Sequence, residues 1–210
     1  RTRAKAFAER MLGAGAMADN LVYVDYGVGI GSGVILDQKL VYGQSCAAGE
    51  FGHTHVVENG PACNCGSFGC LEALVGARAV ETRIRRAISE GGYTHALETV
   101  DNPDKLTVWN VLEEAGRGDK ICSNIVAEMG AYLGLGVANL VNLFNPAVVV
   151  LDSRLAAGGD ALLDQIANAV KRQALTCSSE DVAVRFGTTG RDAAVLGTAL
   201  IVIEKHFSLP

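Results

Sequence analysis

Apolar positions in the first dozen residues fall at Ala4, Phe7, Ala8, Met11 and Leu12. That is the i, i+3, i+4, i+7, i+8 spacing of one helical face, and Gly13 and Gly15 end the run. The pattern is already under way at Arg1, so the natural chain is expected to extend further toward its N-terminus. Then the period changes. Leu21-Val22-Tyr23-Val24-Asp25-Tyr26 is β-branched and aromatic, glycines follow at 27, 29, 31 and 33, and Val34-Ile35-Leu36 and Lys39 to Tyr42 flank Asp37-Gln38. This reads as a strand, a glycine-rich turn and a strand, with a second hairpin behind it. Gly43 to Leu71 is loop-rich. Helical patterns run from about Leu71 to Glu90, from about Leu106 to Ala115 and from Asp119 to Phe144, where Asn145-Pro146 stops the last. The final third alternates: strand Ala147 to Leu151, helix Asp160 to Ala174, strand Val182 to Phe186, helix Asp192 to His206. Such alternation predicts an α/β fold with helices packed on a sheet, and no repeat or linker divides it.

Composition narrows the class. Of 210 residues, 49% are apolar, 20% are charged and four are proline, which is a chain that buries a core and excludes whole-chain disorder. The net charge of −5 argues against direct nucleic-acid binding by these residues. Arg1-Thr2-Arg3-Ala4-Lys5 leads into no unbroken apolar stretch, so no signal peptide is expected. The apolar stretch from Tyr132 to Phe144 carries Asn139 and Asn142, and Val195 to Ile203 is short, so neither is expected to span a membrane and the chain reads as soluble.

The six cysteines are Cys46, Cys63, Cys65, Cys70, Cys122 and Cys177, and three crowd into one loop. That distribution predicts a metal site in a reducing cytoplasm, not a disulfide framework. His53 with Cys63, Cys65 and Cys70 matches a Cys3His tetrahedral zinc site, full and therefore structural, with Gly66 and Gly69 letting the backbone turn around the ion. The other reading is three unbridged thiols in a surface loop, and His55 competes with His53 as fourth ligand. Cys46, Cys122 and Cys177 read as packed thiols.

Gly27, Gly29, Gly31 and Gly33 precede a strand instead of a helix, which removes the dinucleotide fingerprint. What remains is a phosphate-binding hairpin of the actin-like kind or a tight hairpin with bulges. Glu50, His53 and Glu72 bring two carboxylates and an imidazole to the cysteine loop, a set of acceptors suited to polyol hydroxyls. The alternative is that Glu72 caps the helix starting at Leu71 and Glu50 is solvated. Gly130, Gly134 and Gly136 permit close approach to the long helix, from within the core or across a dimer interface.

Gly49-Glu50-Phe51-Gly52-His53 followed by Cys63-Asn64-Cys65-Gly66-Ser67-Phe68-Gly69-Cys70-Leu71-Glu72 resembles the signature of the ROK family of repressors and sugar kinases, ExGH and then CxCGxxGCxE. The similarity continues through the hairpin of Asn20 to Gly43 and from Val141-Asn142-Leu143-Phe144-Asn145-Pro146 to the closing helix. It implies an actin-like (ribonuclease H-like) ATPase-type lobe with a zinc-containing loop and a helical insertion. Residues 1–210 would then be the C-terminal part of a ROK sugar-binding domain, with the first lobe and any helix-turn-helix outside them. The resemblance assigns sugar binding to Glu50, His53 and Glu72, phosphate-loop character to the four glycines, and structural zinc to His53, Cys63, Cys65 and Cys70.

Against the family's kinases, three positions differ. Arg1 stands where the catalytic aspartate is expected, Val28 replaces the hairpin threonine, and Val150-Leu151-Asp152-Ser153-Arg154 replaces a Gly-Gly pair after the strand. The resemblance therefore implies the effector-binding and oligomerisation region of a sugar-responsive transcriptional regulator of the NagC/XylR/Mlc type. It would be a cytoplasmic homodimer or tetramer that binds a sugar or sugar phosphate and meets DNA only through another domain. The alternative is an ATP-dependent sugar kinase.

Overall fold

Strand residues with side chains on two faces build the centre of the molecule. In the computed structural model, which describes residues 1–207, β1 (Leu21–Tyr26), β2 (Ile30–Leu36), β3 (Lys39–Leu40), β4 (Val148–Leu151) and β5 (Ala183–Phe186) form one sheet. Its order is β3-β2-β1-β4-β5, antiparallel at β1/β2 and β2/β3 and parallel at β1/β4 and β4/β5. A parallel neighbour requires a crossover, so helices come to cover both faces.

Alternation along the strands sorts the two cores. Leu21, Tyr23, Val148 and Val150 face Phe7 of α1 (Thr2–Leu12), with Leu200 and Ile201 of α8 (Ala193–Phe207) against the same cluster. Val22, Val24, Tyr26, Val149 and Leu151 face the opposite layer, built from α2 (Leu71–Val75), α3 (Ala77–Ser89), α4 (Val108–Gly116), α5 (Lys120–Phe144) and α6 (Gly159–Gln173). Each large aliphatic side chain fully buried there contributes roughly 1.5–3 kcal/mol before chain entropy is counted. A short α7 (Thr176–Ser179) precedes β5.

α5 starts where the Asp119 carboxylate accepts from the Cys122 N–H, and it ends at Asn145, whose φ of 43° is left-handed, just before Pro146. Its glycines serve the core. A Cβ on Gly134 would collide with Ala169 of α6, and one on Gly136 would lie 2.7 Å from the Phe51 ring, so the small-residue stripe is filled from inside the fold. By length and composition α5 is long and apolar enough to cross a membrane, even with Asn139 and Asn142 on it. Half of its most apolar window is buried against the sheet and neighbouring helices.

Three expectations need correcting. The helix over Leu71 to Glu90 is broken at Gly76, which is extended (ψ 163°). The break is tertiary in origin: the Tyr26 hydroxyl donates to the Val75 carbonyl and the Ala77 N–H donates to Gly27, pinning this point to the glycine turn. Only Gly27 and Gly29 shape the turn, because β2 begins at Ile30. Gly31 and Gly33 lie within it and leave space for Thr2 and Ala6 of α1. Of the three remaining thiols Cys122 is buried, but Cys46, in the loop after β3, and Cys177, on α7, are exposed.

Candidate functional site

The cysteine loop is shaped by its own backbone. The Cys63 N–H donates to Ser67, the Gly66 N–H returns to Cys63, and short antiparallel bridges join Ala62 to Phe68 and His55 to Cys70. Gly66 at φ 92° and Gly69 at φ 67° make reversals that side-chain-bearing residues avoid. The outcome is four donor atoms, from His53, Cys63, Cys65 and Cys70, all within 4.8 Å of one another. His53 Nδ1 is 3.6 Å from Cys63 Sγ, and Cys65 Sγ is 3.7 Å from Cys70 Sγ. With zinc–sulfur bonds of about 2.3 Å, the edge of a tetrahedron is roughly 3.8 Å, and the shorter zinc–nitrogen bond brings a nitrogen–sulfur edge slightly below that. The chemistry and spacing of the donors therefore fit zinc. His55 is outside this group; its ring packs against Gly69. The thiols are unequal: the Ser67 N–H, followed by the Cys63 thiol, draws Cys65 down to about 7, whereas burial and then the neighbouring thiols push Cys70 up to about 12. A divalent cation among them favours the thiolate at every position.

His53 closes a 3-10 turn, Phe51–His53, that also presents Glu50. This turn is anchored to the sheet through Gly49. The Ser32 N–H donates to the Gly49 carbonyl at 2.7 Å, and Gly49, at φ 101°, packs so closely on Ser32 that a Cβ would overlap the Ser32 carbonyl oxygen. Glu72 approaches from the first turn of α2. Its Oε2 accepts from the Ile30 N–H at 3.0 Å, so the carboxylate ties the glycine hairpin to the metal loop and does not cap its own helix. Glu50, His53, Glu72, Gly29 and Gly31 all line one cavity of about 590 Å³. Glu50 is exposed and its carboxylate makes no hydrogen bond among the described residues.

At one wall of this cavity lies a network that the linear sequence did not reveal. Lys5 is buried on α1, and its Nζ donates to Asp25 Oδ1 at 2.6 Å and to Asp152 Oδ2 at 3.0 Å. Thr2 Oγ1 donates to Asp25, and the Tyr23 hydroxyl to Asp152. Arg154 grips Asp152 through Nε at 2.9 Å, donates to the Tyr26 carbonyl, and lies with its guanidinium carbon 4.3 Å from the Trp109 ring centroid. Burial alone would raise Asp152, but Arg154 and then Lys5 outweigh it and hold the carboxyl well below the usual carboxylate range. A side chain at Gly27 would meet Arg154 Nη2 at 3.5 Å, so this arginine packs directly behind the glycine turn. A lysine within an otherwise apolar stripe was the available signal, though its partners are 20 and 147 residues away.

A second buried group was also missed. Glu9 accepts from the N–H groups of Ala14, Thr188 and Thr189 and from the Thr189 hydroxyl, stitching the end of α1 to the segment before α8.

A family model described as the ROK family matches residues 2–205. A xylose repressor of Caldicellulosiruptor bescii is 30% identical over 207 residues, 99% of this chain and 52% of the repressor. A glucokinase of Halalkalibacterium halodurans is 31% identical over 205 residues, 97% of this chain and 62% of the kinase. The crystal structure of a ROK family transcriptional regulator described as a homologue of the Escherichia coli Mlc protein superposes with a TM-score of 0.86 at 28% identity, over 95% of this chain and 50% of that one. The chain thus spans about half the length of the repressors it matches.

Proposed function

The chain belongs to the ROK family, and from that premise we propose that it is the effector-binding and oligomerisation region of a sugar-responsive transcriptional regulator. On this reading residues 1–210 are the C-terminal part of the sugar-binding domain, and a first lobe and a DNA-binding domain lie outside them. Relatives that repress transcription and relatives that phosphorylate glucose match at nearly the same identity, so identity does not separate the two roles. The observation that carries the choice is the wall of the cavity. Where a kinase needs an open, preorganised cradle for phosphoryl groups, Lys5, Asp25, Asp152 and Arg154 are locked together and Arg154 fills the space behind the glycine turn. Arg1 in place of the aspartate and Val28 in place of the threonine point the same way. The alternative, an ATP-dependent sugar kinase, is favoured by the glucokinase match.

Zinc, held by His53, Cys63, Cys65 and Cys70, would serve as a cross-link with all four positions filled by protein. His53 is fixed by that cluster, and Glu72 follows two residues after Cys70, so the acceptors are held in place before a sugar arrives and lose little entropy on binding it. Sugar binding would shift the population between lobe arrangements, which the DNA-binding module reads.

A carboxylate hydrogen-bonded to ligand hydroxyls contributes about 1.5 to 3 kcal/mol. Glu50→Ala and Glu72→Ala are therefore each expected to weaken sugar affinity by about tenfold or more while zinc content stays intact. Calorimetry with the sugar that gives the largest thermal shift checks this. Parent affinity in both variants would remove these carboxylates from the site.

A further inference from the structure

The cavity lined by Glu50 and Glu72 adjoins a second one of about 540 Å³, a groove between the metal loop and α3. Each falls in the size range of ligand pockets, roughly 300–1,000 Å³. The two share Val28, Gly29 and Glu72, so the tip of the glycine turn and one carboxylate form their boundary. Glu72 Oε2 is committed to the Ile30 N–H and lies against the turn, where a Cβ on Gly29 would be 2.9 Å from it. The other Glu72 oxygen makes no hydrogen bond among the described residues and is free for a hydroxyl at the boundary. Val28 is 71% exposed there, an aliphatic side chain that the described residues leave uncovered.

The groove has polar and apolar parts of its own. Asn64 offers an amide that both donates and accepts, and the Thr82 hydroxyl, which donates to the Arg78 carbonyl, keeps its lone pairs for a ligand. Ala62, Ala73 and Ala79 add small apolar surface. Of its two arginines, Arg83 pairs with Glu128 and Arg78 is exposed. Neutral hydrogen-bonding groups beside aliphatic surface suit a saccharide ring, which carries hydroxyls on its rim and C–H groups on its faces. We infer that the groove between the metal loop and α3 is a second saccharide subsite and that the effector is a glycoside of at least two rings. The first ring lies on Glu50 and Glu72, and the second lies over Val28 with its hydroxyls on Asn64 and Thr82. This rests on the sugar-binding reading above and deepens it, since that reading alone leaves the number of rings open. Because the rings are joined, the second adds its contacts without a second loss of translational freedom.

The test is calorimetry on the full-length protein with a panel of hexoses, pentoses and amino sugars, each compared with disaccharides and trisaccharides that contain it. The expected result is that one disaccharide binds at least about tenfold more tightly than either of its constituent monosaccharides. Ala79→Trp, which fills the groove, should bring that ratio toward one. Thr82→Tyr places bulk at an exposed position of the same wall, where the core is not disturbed, and should lower the ratio as well. Zinc content and unfolding temperature equal to the parent's show that a variant is folded. Monosaccharides that bind as tightly as every longer saccharide, or an undiminished ratio in the folded variants, overturn the second subsite and leave the sugar reading standing. If no saccharide of any length binds, the sugar reading itself fails and the subsite with it.

Discussion

A Cys65→Ser variant is expected to lose its zinc and, with it, the fold of the loop between His53 and Leu71. The loop has little else to hold it. Cys63 and Cys70 are buried, but His53, Cys65 and Phe68 are exposed and the backbone reverses at two left-handed glycines, so an apolar core is not what fixes its path. Structural zinc in small domains contributes about 10–16 kcal/mol of apparent binding energy, and that energy is folding energy where no preformed site survives unfolding. Serine cannot supply the soft thiolate, and three remaining ligands bind far more weakly. The loss should spread to the ligand site, because the loop leads directly into Glu72 and thereby to the Ile30 N–H. Metal analysis should find about one zinc per parent chain and a sharp reduction in the variant. A chelator should lower the parent's unfolding temperature toward that of the variant. Full zinc and unchanged unfolding in Cys65→Ser would show that the four donors are neighbours and not ligands.

The second large effect is expected from Lys5→Ala. The lysine is buried on a helix that also buries alanines, Phe7 and Glu9, and its ammonium is the shared partner of two carboxylates whose side chains are only 15% and 3% exposed. Removing one member of a buried ionic group leaves charge without compensation and typically costs about 3–5 kcal/mol. Arg154 still covers Asp152, so the loss falls mainly on Asp25, which keeps only the Thr2 hydroxyl as a side-chain partner among the described residues. The pH dependence has a definite sign. Asp152 is held below its unfolded value of about 3.9, so its contribution is present above that value and is lost as pH falls through the lower folded value. The parent should thus lose this part of its stability below about pH 4, and Lys5→Ala should already lack the share that Lys5 supplies at neutral pH, Arg154 keeping the rest. Denaturant unfolding across that range checks both statements, and a variant as stable as the parent at pH 7 contradicts them.

What could be read from the sequence was what local spacing encodes. The alternation in Leu21–Tyr26 placed a strand, the helical stripe at Ala4, Phe7, Ala8 and Met11 placed α1, and the cysteine spacing with its two glycines named three of the four donors that the fold brings together. Choosing His53 over His55 needed the backbone, because only the extended bridge from His55 to Cys70 turns the second imidazole out of the donor group. The break at Gly76 was hidden for a related reason: helical patterns flank it on both sides, and the contacts that enforce it come from Tyr26 and Gly27, some 50 residues earlier. Lys5 and Arg154 are charged residues whose roles depend on partners that only the sheet brings together. Glu9 is the same case, with partners some 180 residues distant.

On the proposed reading, the full-length protein senses a sugar without phosphorylating it. The direct measurement is an ATP-coupled assay on the full-length protein with every sugar that it binds in calorimetry. Lys5, Asp25, Asp152 and Arg154, together with Arg1 and Val28, predict no turnover above background for any of them. Turnover in the ordinary kinase range of about 1–100 per second for even one sugar would contradict the regulator reading and make the chain part of a sugar kinase.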